Sequence, residues 1–221
     1  MIKLCIFDLD GTLLDTIRGI TYFVNEVFAA EGISPITEEE CKIFVGDGAR
    51  LLIRRALASK GIDSEERTEE ILKKYQAAYN AEPNKLTEPY PYVLSALSEL
   101  KARGVRLAVL SNKPHATTLA VIERYFPNTF DAVYGARDGV ALKPTPDAAL
   151  AIVRELGVLP DCTAFIGDTA VDIVTGKNMG AALSVGALWG FRDELELVRA
   201  GADRLAKSAL ELPRIISECD L

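Results

Sequence analysis

Five short apolar runs, at residues 3–7, 105–110, 132–134, 163–166 and 183–185, constrain this chain more than any other feature. Each is stopped by a cluster of Gly, Ser, Asp or Asn, and stretches of helical period lie between most of them. Leu94, Leu97 and Leu100 recur at three-residue steps, Leu119, Ile122 and Phe126 at three and four, and Leu150, Val153 and Leu156 mark another such face. Strand and helix in alternation predict an α/β fold, a doubly wound parallel sheet with helices on both sides. The pairs Gly32-Ile33, Gly61-Ile62, Gly104-Val105 and Gly157-Val158 each follow a helical stretch. A left-handed glycine with an apolar residue next is the common C-terminal helix cap, so these pairs predict four helix ends.

Residues 17–86 break the alternation. Ile20, Phe23, Val24, Val27 and Phe28 form a helical stripe, residues 49–59 and 68–79 read as two further helices, and no strand is evident. A crossover between parallel strands needs only about a dozen residues. The excess predicts an inserted helical unit at 16–87, with the α/β core made of residues 1–15 and 88–221. Glu88-Pro89-Tyr90-Pro91 marks the return to the core.

The chain has 221 residues, 49% of them hydrophobic, which is enough for a sizeable core, and its net charge of -7 gives no invitation to nucleic acid. Cys5, Cys41, Cys162 and Cys219 lie far apart, without zinc-ligand or redox spacing, and fit a reducing cytoplasm. The apolar start is broken by Asp8, unlike a signal peptide or a membrane span.

Chemistry gathers where the apolar runs stop. Asp8 and Asp10 follow the first, Ser111-Asn112-Lys113 the second, Lys143-Pro144 lies on a longer loop after the third, and Gly167-Asp168 with Asp172 follows the fourth. In an open parallel sheet, ligands bind beyond the carboxyl ends of the strands, so all four clusters can meet at one edge. Two carboxylates as close as Asp8 and Asp10 are in conflict, which a divalent metal, a shared proton, or both would relieve. Asp8 is the candidate nucleophile, helped by a metal that removes its repulsion for a phosphate. Asp168 is the second side-chain ligand for Mg²⁺, and the main-chain carbonyl of Asp10 offers another oxygen. The Asp10 side chain is then free to protonate the leaving oxygen and later to deprotonate water. Lys143 would balance the charge of Asp8 and the phosphoryl group, while Ser111 and Asn112 would bind phosphoryl oxygens. Asp172 would either approach the metal's water shell or orient Lys143. Arg50, near the turn opened by Gly46-Asp47-Gly48, is the candidate on the insert for a second anionic group of the substrate. His115, the one histidine, reads as a surface residue, and Trp189 as packing.

The set Asp8-Leu9-Asp10-Gly11-Thr12, Leu110-Ser111-Asn112, Lys143-Pro144 and Gly167-Asp168-Thr169 continuing to Asp172 resembles, in order and spacing, the haloacid dehalogenase superfamily and its phosphatases. The resemblance spans the chain. It implies a Rossmann-like core with a helical cap, an aspartyl-phosphate on Asp8, and magnesium on Asp8, Asp10 and Asp168. Members that cleave carbon–halogen bonds lack the second acid, so Asp10 argues against that chemistry. Residues Val45-Gly46-Asp47-Gly48-Ala49 and Ala187-Leu188-Trp189-Gly190-Phe191 look most like the phosphoglycolate phosphatases. The expectation is a cytoplasmic, magnesium-dependent phosphatase of a small phosphorylated metabolite, acting as a monomer or homodimer, without nucleic acid or membrane. The alternatives on the same scaffold are an inorganic pyrophosphatase and a sugar phosphomutase similar to β-phosphoglucomutase. An alternative of another class is a phospho-aspartate signalling module resembling response-regulator receivers, against which the long insert and Asp10 both speak.

Overall fold

Leu4 and Ile6 point to one side of a sheet and Cys5 and Phe7 to the other, and all four are buried. That is the signature of a parallel strand covered on both faces. In the computed structural model, which describes residues 1–218, this strand β1 (Leu4–Phe7) lies at the centre of a six-stranded parallel sheet. Cys219 lies outside the described residues. Around β1 the chain adds β4 (Arg106–Pro114), β5 (Ala132–Ala136), β6 (Thr163–Gly167), β7 (Leu183–Ala187) and β8 (Arg204–Ala206), in the order β5-β4-β1-β6-β7-β8. β1 pairs with β4 on one side, Leu4 beside Arg106, and with β6 on the other, Leu4 beside Thr163. Strand order reverses at β1, and the carboxyl ends beside it form the crevice of a doubly wound sheet.

Helices α5 (Val93–Ala102), α6 (His115–Tyr125) and α10 (Leu212–Glu218) cover the face that carries Cys5 and Phe7. Helices α7 (Asp147–Glu155) and α8 (Ala170–Met179) cover the face of Leu4 and Ile6, and α9 (Glu194–Arg199) lies between β7 and β8 in the chain. Two expected face residues stand outside the core. Leu94 is 54% exposed and Leu119 45%, while Val93, Ala96 and Leu97 on α5 and Val121 and Ile122 on α6 are buried. Steps of three residues drift round a helix of 3.6 residues per turn, so a run at that spacing leaves the buried stripe. The glycine caps form as expected. Gly32, Gly61, Gly104 and Gly157 have φ of 67, 77, 81 and 62°. The N–H after each reaches back five residues, from Ile33 to the Phe28 carbonyl at 2.8 Å and from Val158 to the Val153 carbonyl at 2.9 Å.

Between β1 and the rest of the sheet lie four helices: α1 (Ile17–Ala30), α2 (Glu38–Phe44), α3 (Ala49–Ala58) and α4 (Glu65–Ala81). They bury a cluster of their own around Phe23, Val24, Phe28, Ile53, Leu57 and Ile71. Helix α2 has one buried residue, Cys41, and therefore no apolar stripe. Its start is nevertheless written in a capping box, in which Glu40 N–H donates to Thr37 Oγ1 at 3.1 Å and Thr37 N–H to Glu40 Oε2 at 2.8 Å. Where the chain leaves and re-enters the sheet unit, β2 (Leu14–Asp15) and β3 (Glu88–Pro89) pair antiparallel and tie the two crossings together. Among the described residues no helix is long and apolar enough to cross a membrane.

Candidate active site

The turn after β1 carries the first two acids. Asp8 N–H donates to the Ile166 carbonyl of β6 at 2.9 Å, which fixes the end of the strand. The chain then folds back, with Leu13 and Leu14 N–H on the Leu9 carbonyl at 3.0 Å. Gly11 sits in this turn at φ 95°, and a Cβ there would collide with the Asp168 carboxylate. Both facts require glycine at this position. Opposite, β6 ends in Asp168, whose Oδ1 accepts from Thr12 Oγ1 at 2.9 Å and whose Oδ2 accepts from Phe191 N–H at 2.8 Å. Asp172 on the first turn of α8 accepts from Thr169 N–H and Oγ1 at 3.1 and 2.9 Å through Oδ2. Its Oδ1 accepts from Lys143 Nζ at 2.7 Å, and the same ammonium donates to Asp8 Oδ1 at 2.7 Å. Asp172 thus touches Lys143, and it also stands in the acidic group with Asp8 and Asp168.

Asn112 lines the cavity, and its amide is engaged by protein groups. Its Oδ1 accepts from Lys143 N–H at 2.9 Å, and its Nδ2 donates to the carbonyls of Lys143 and Gly46 at 3.2 and 3.1 Å. The amide is occupied in seating the Lys143 loop and one edge of the helical insert. Ser111 lines the cavity beside Asp8 and Asp10, its Oγ accepting from Lys113 N–H at 3.2 Å. Arg50 is not in the cavity. It points along the outer side of α3, where its guanidinium pairs with Glu65 and, at 2.7 Å, with Glu69 of α4. Ala49 and Leu52 are the α3 residues that line the cavity, and Arg50 is about 100° round the helix from Ala49. His115 is half-buried away from the cavity, its Nδ1 accepting from Gly135 N–H at 3.2 Å. Trp189 packs on the core and donates from Nε1 to the Thr12 carbonyl at 2.9 Å.

The cavity, about 80 Å³, is floored by Asp8, Asp10, Ser111 and Lys113 and roofed by Val45, Leu52, Tyr75, Gln76 and Tyr79 of the insert. With this arrangement of motifs in view, comparison with known proteins is decisive. The family described as haloacid dehalogenase-like hydrolase matches residues 5–185. The chain belongs to that family. It is 36% identical over 192 residues to phosphoglycolate phosphatase 1 of Pseudomonas aeruginosa, an alignment covering 83% of this chain and 70% of that protein. It is 35% identical over 191 residues to phosphoglycolate phosphatase of Rhodospirillum rubrum, covering 84% and 79%. A solved structure from Lactobacillus delbrueckii subsp. bulgaricus superposes with a TM-score of 0.93 at 31% identity, covering 97% of this chain and 98% of that one.

Electrostatics in this haloacid dehalogenase-like site are one-sided. Asp8, Asp168 and Asp172 are buried and offer oxygens within 4.8 Å of one another, against the single ammonium of Lys143. Burial pushes the Asp8 carboxyl up to about 7; Asp172 adds to this and Lys143 pulls back. Burial, then Asp172 and Asp8, raise Asp168 well above the carboxylate range, with the Phe191 N–H and the Thr12 hydroxyl opposing. Burial works against the charged Lys143, but Asp172 and Asp8 outweigh it and hold the ammonium protonated. Three carboxylates against one cation leave two negative charges, and a divalent cation with oxygen preference fits that deficit. Asp8, Asp168 and Asp172 are the buried acids whose oxygens lie close enough together to hold it. The Asp10 carboxylate is turned the other way. Its two oxygens accept from Lys113 Nζ at 2.9 and 3.0 Å, and that ammonium also donates to the Tyr79 hydroxyl at 2.8 Å.

Sequence motifs alone assign no separate role to Thr12, Phe191, Lys113 or Tyr79. Thr12 lies inside the first motif and Lys113 directly after Ser111-Asn112, so their positions were a usable signal. Phe191 and Tyr79 reach the site through the fold from segments that carry no local mark of chemistry.

Proposed function

We propose that this chain hydrolyses a small phosphomonoester with Mg²⁺, by way of an aspartyl-phosphate on Asp8, and that 2-phosphoglycolate is the first substrate to test. The family and the curated relatives make the chain a phosphatase, and the relatives' names carry the choice of substrate. The observation that carries the mechanism is Lys143 Nζ at 2.7 Å from Asp8 Oδ1, with Asp168 in the same buried acidic group and Asp8 itself lining a small cavity. With Oδ1 engaged, Asp8 Oδ2 is the oxygen for attack.

In the first step Asp8 Oδ2 bonds to phosphorus and the ester P–O bond breaks. Its electron pair stays on the leaving oxygen, which takes the Asp10 proton. In the second step water attacks the same phosphorus and gives its proton to Asp10. The Asp8–phosphorus bond breaks, and phosphate and free Asp8 are restored. A bound Mg²⁺, held by Asp8, Asp168 and the Asp10 carbonyl, would neutralise the phosphoryl oxygens and the acidic group. Ser111 hydrogen-bonds a phosphoryl oxygen, and Lys143 stays on Asp8 through both steps. The insert, residues 16–87, acts as a cap that excludes water and limits the leaving group to a few heavy atoms.

The test is a panel of phosphoglycolate, pyrophosphate, nucleotides and sugar phosphates with magnesium, with EDTA, and with Asp8→Asn. Release of phosphate from one small phosphomonoester, lost on both treatments, is expected. Hydrolysis that survives EDTA and the substitution would rule the mechanism out.

A further inference from the structure

Of the four residues that floor the cavity, Lys113 is the one with no part in the steps above. Its side chain is 6% exposed, and burying an ammonium is costly unless every donor is matched. Here all three donors are matched: two meet the oxygens of Asp10 at 2.9 and 3.0 Å, and one meets Tyr79 Oη at 2.8 Å. The Tyr79 ring also lies under the ammonium, 4.6 Å from its centroid. Asp10 and Lys113 belong to the sheet unit, whereas Tyr79 rides on α4 of the insert. Its ring is set in the insert's core, edge-on to Phe23 at 5.3 Å and tilted against Tyr75 at 5.6 Å. The hydroxyl therefore moves only with the insert. The next residue on the helix, Asn80, accepts at Oδ1 from Thr117 Oγ1 at 2.6 Å, so α4 is docked at two adjacent points.

We propose that Lys113 and Tyr79 are positioning residues for Asp10, through which the docking of α4 sets the proton donor in place. The inference rests on the reading of Asp10 as acid and base. With α4 docked, Tyr79 fills the third donor of the ammonium and fixes where Lys113 sits. Lys113, bonded to both Asp10 oxygens, then fixes the carboxyl. As the proton passes to the leaving oxygen, Asp10 gains negative charge, and the ammonium is already in contact with the atoms on which that charge grows. When α4 lifts away, the hydroxyl goes with it and Lys113 loses its third partner. Proton donation is thereby tied to the closed cavity.

The test uses two leaving groups. An alkoxide needs a proton to depart and p-nitrophenolate does not, and kcat/KM reports only the steps up to departure. Asp10→Asn, Lys113→Met and Tyr79→Phe are assayed with the best alkyl phosphomonoester of the panel and with p-nitrophenyl phosphate. Tyr79→Phe keeps the ring and its packing, so it remains informative if Lys113→Met does not fold. Asp10→Asn is expected to lower kcat/KM for the alkyl substrate by about 10²- to 10⁴-fold and to spare the aryl one. Lys113→Met should show the same split at about 10²-fold and Tyr79→Phe at about tenfold, the size of one hydrogen bond to a charged group. Equal losses on both substrates, or no loss, in either variant overturn the inference while the Asp10 reading stands. Absence of the split in Asp10→Asn overturns the reading itself.

Discussion

Asp8 and Asp10 stand two residues apart and keep opposite company. Around Asp8, Lys143 is shared with Asp172, Asp168 adds a third buried carboxylate, and charge is left over. Around Asp10, Lys113 serves one acid alone, and a neutral tyrosine completes it. One turn thus feeds a pocket of three acids to one ammonium, which calls for a divalent cation, and a pocket of one acid to one ammonium, which does not. The second is also the side joined to the insert's α4. The difference follows from strand order: Asp8 faces the β6 side, where Asp168 and Asp172 arise, and Asp10 meets the end of β4 and the insert.

The largest contrast is expected from removing each lysine in turn. Lys143→Met leaves three buried carboxylates without a cation, and breaking a buried pair in this way costs about 3–5 kcal/mol. Turnover should fall by about 10³-fold or more on alkyl and aryl phosphates alike, because Lys143 touches the nucleophile and not the proton donor. Steady-state kinetics and urea unfolding measure the two effects. A Lys143→Met loss confined to alkyl substrates would erase the distinction between the two sides.

That distinction shows which parts of the molecule were legible in the chain. Strands β1, β4, β6 and β7 are buried on both faces and announce themselves as apolar runs. β8 has three residues at the sheet edge, with Arg204 exposed, and carries no such run. β4 continues through Ser111, Asn112 and Lys113, where polarity reads as a stop; distant groups partner the buried Asn112 and Lys113 side chains. That Asp8, Lys143 and Asp168 come together is legible because strand ends and the loops after them gather at one edge of a parallel sheet. The role of Lys113 is not legible in the chain, because Asp10 lies 103 positions away and Tyr79 34, and nothing local links the three. Arg50 shows the converse: its neighbours in the chain line the cavity, but helix geometry turns it toward Glu65 and Glu69.

A smaller effect is expected in the metal-free protein as pH varies. The folded state holds the Asp8 carboxyl at about 7, against an ordinary Asp value of about 3.9 in the unfolded chain. Between those values the folded state binds more protons, so stability is greatest at low pH and is lost as pH rises toward 7. Asp168, also raised, acts in the same direction. The full Asp8 effect is on the order of 4 kcal/mol at most. Mg²⁺ competes with these protons, so its stabilisation should be larger at pH 8 than at pH 5, by about 2–4 °C in Tm for each kcal/mol. Thermal melts with EDTA and with Mg²⁺ at both values measure the difference; an equal gain at the two would mean the acidic group is not where the cation binds.

The smallest effect concerns a second tie between insert and sheet unit, on the Asp8 side. Arg192 donates to the Lys42, Ile43 and Val45 carbonyls at the end of α2, the last two at 3.3 and 2.7 Å. Its neighbour Phe191 gives its N–H to Asp168 and its ring to the insert's core. This clamp holds the insert but touches neither Asp10 nor the leaving oxygen. Arg192→Ala should therefore raise KM a few-fold, about what one or two partly exposed hydrogen bonds contribute, with the alkyl and aryl substrates affected equally. Arg50→Ala, which removes only exposed ion pairs, should change neither substrate and shift stability by less than about 1 kcal/mol. If Arg192→Ala instead reproduced the leaving-group split of Tyr79→Phe, any loosening of the insert would disturb proton donation. Lys113 would then lose its claim to be the particular link.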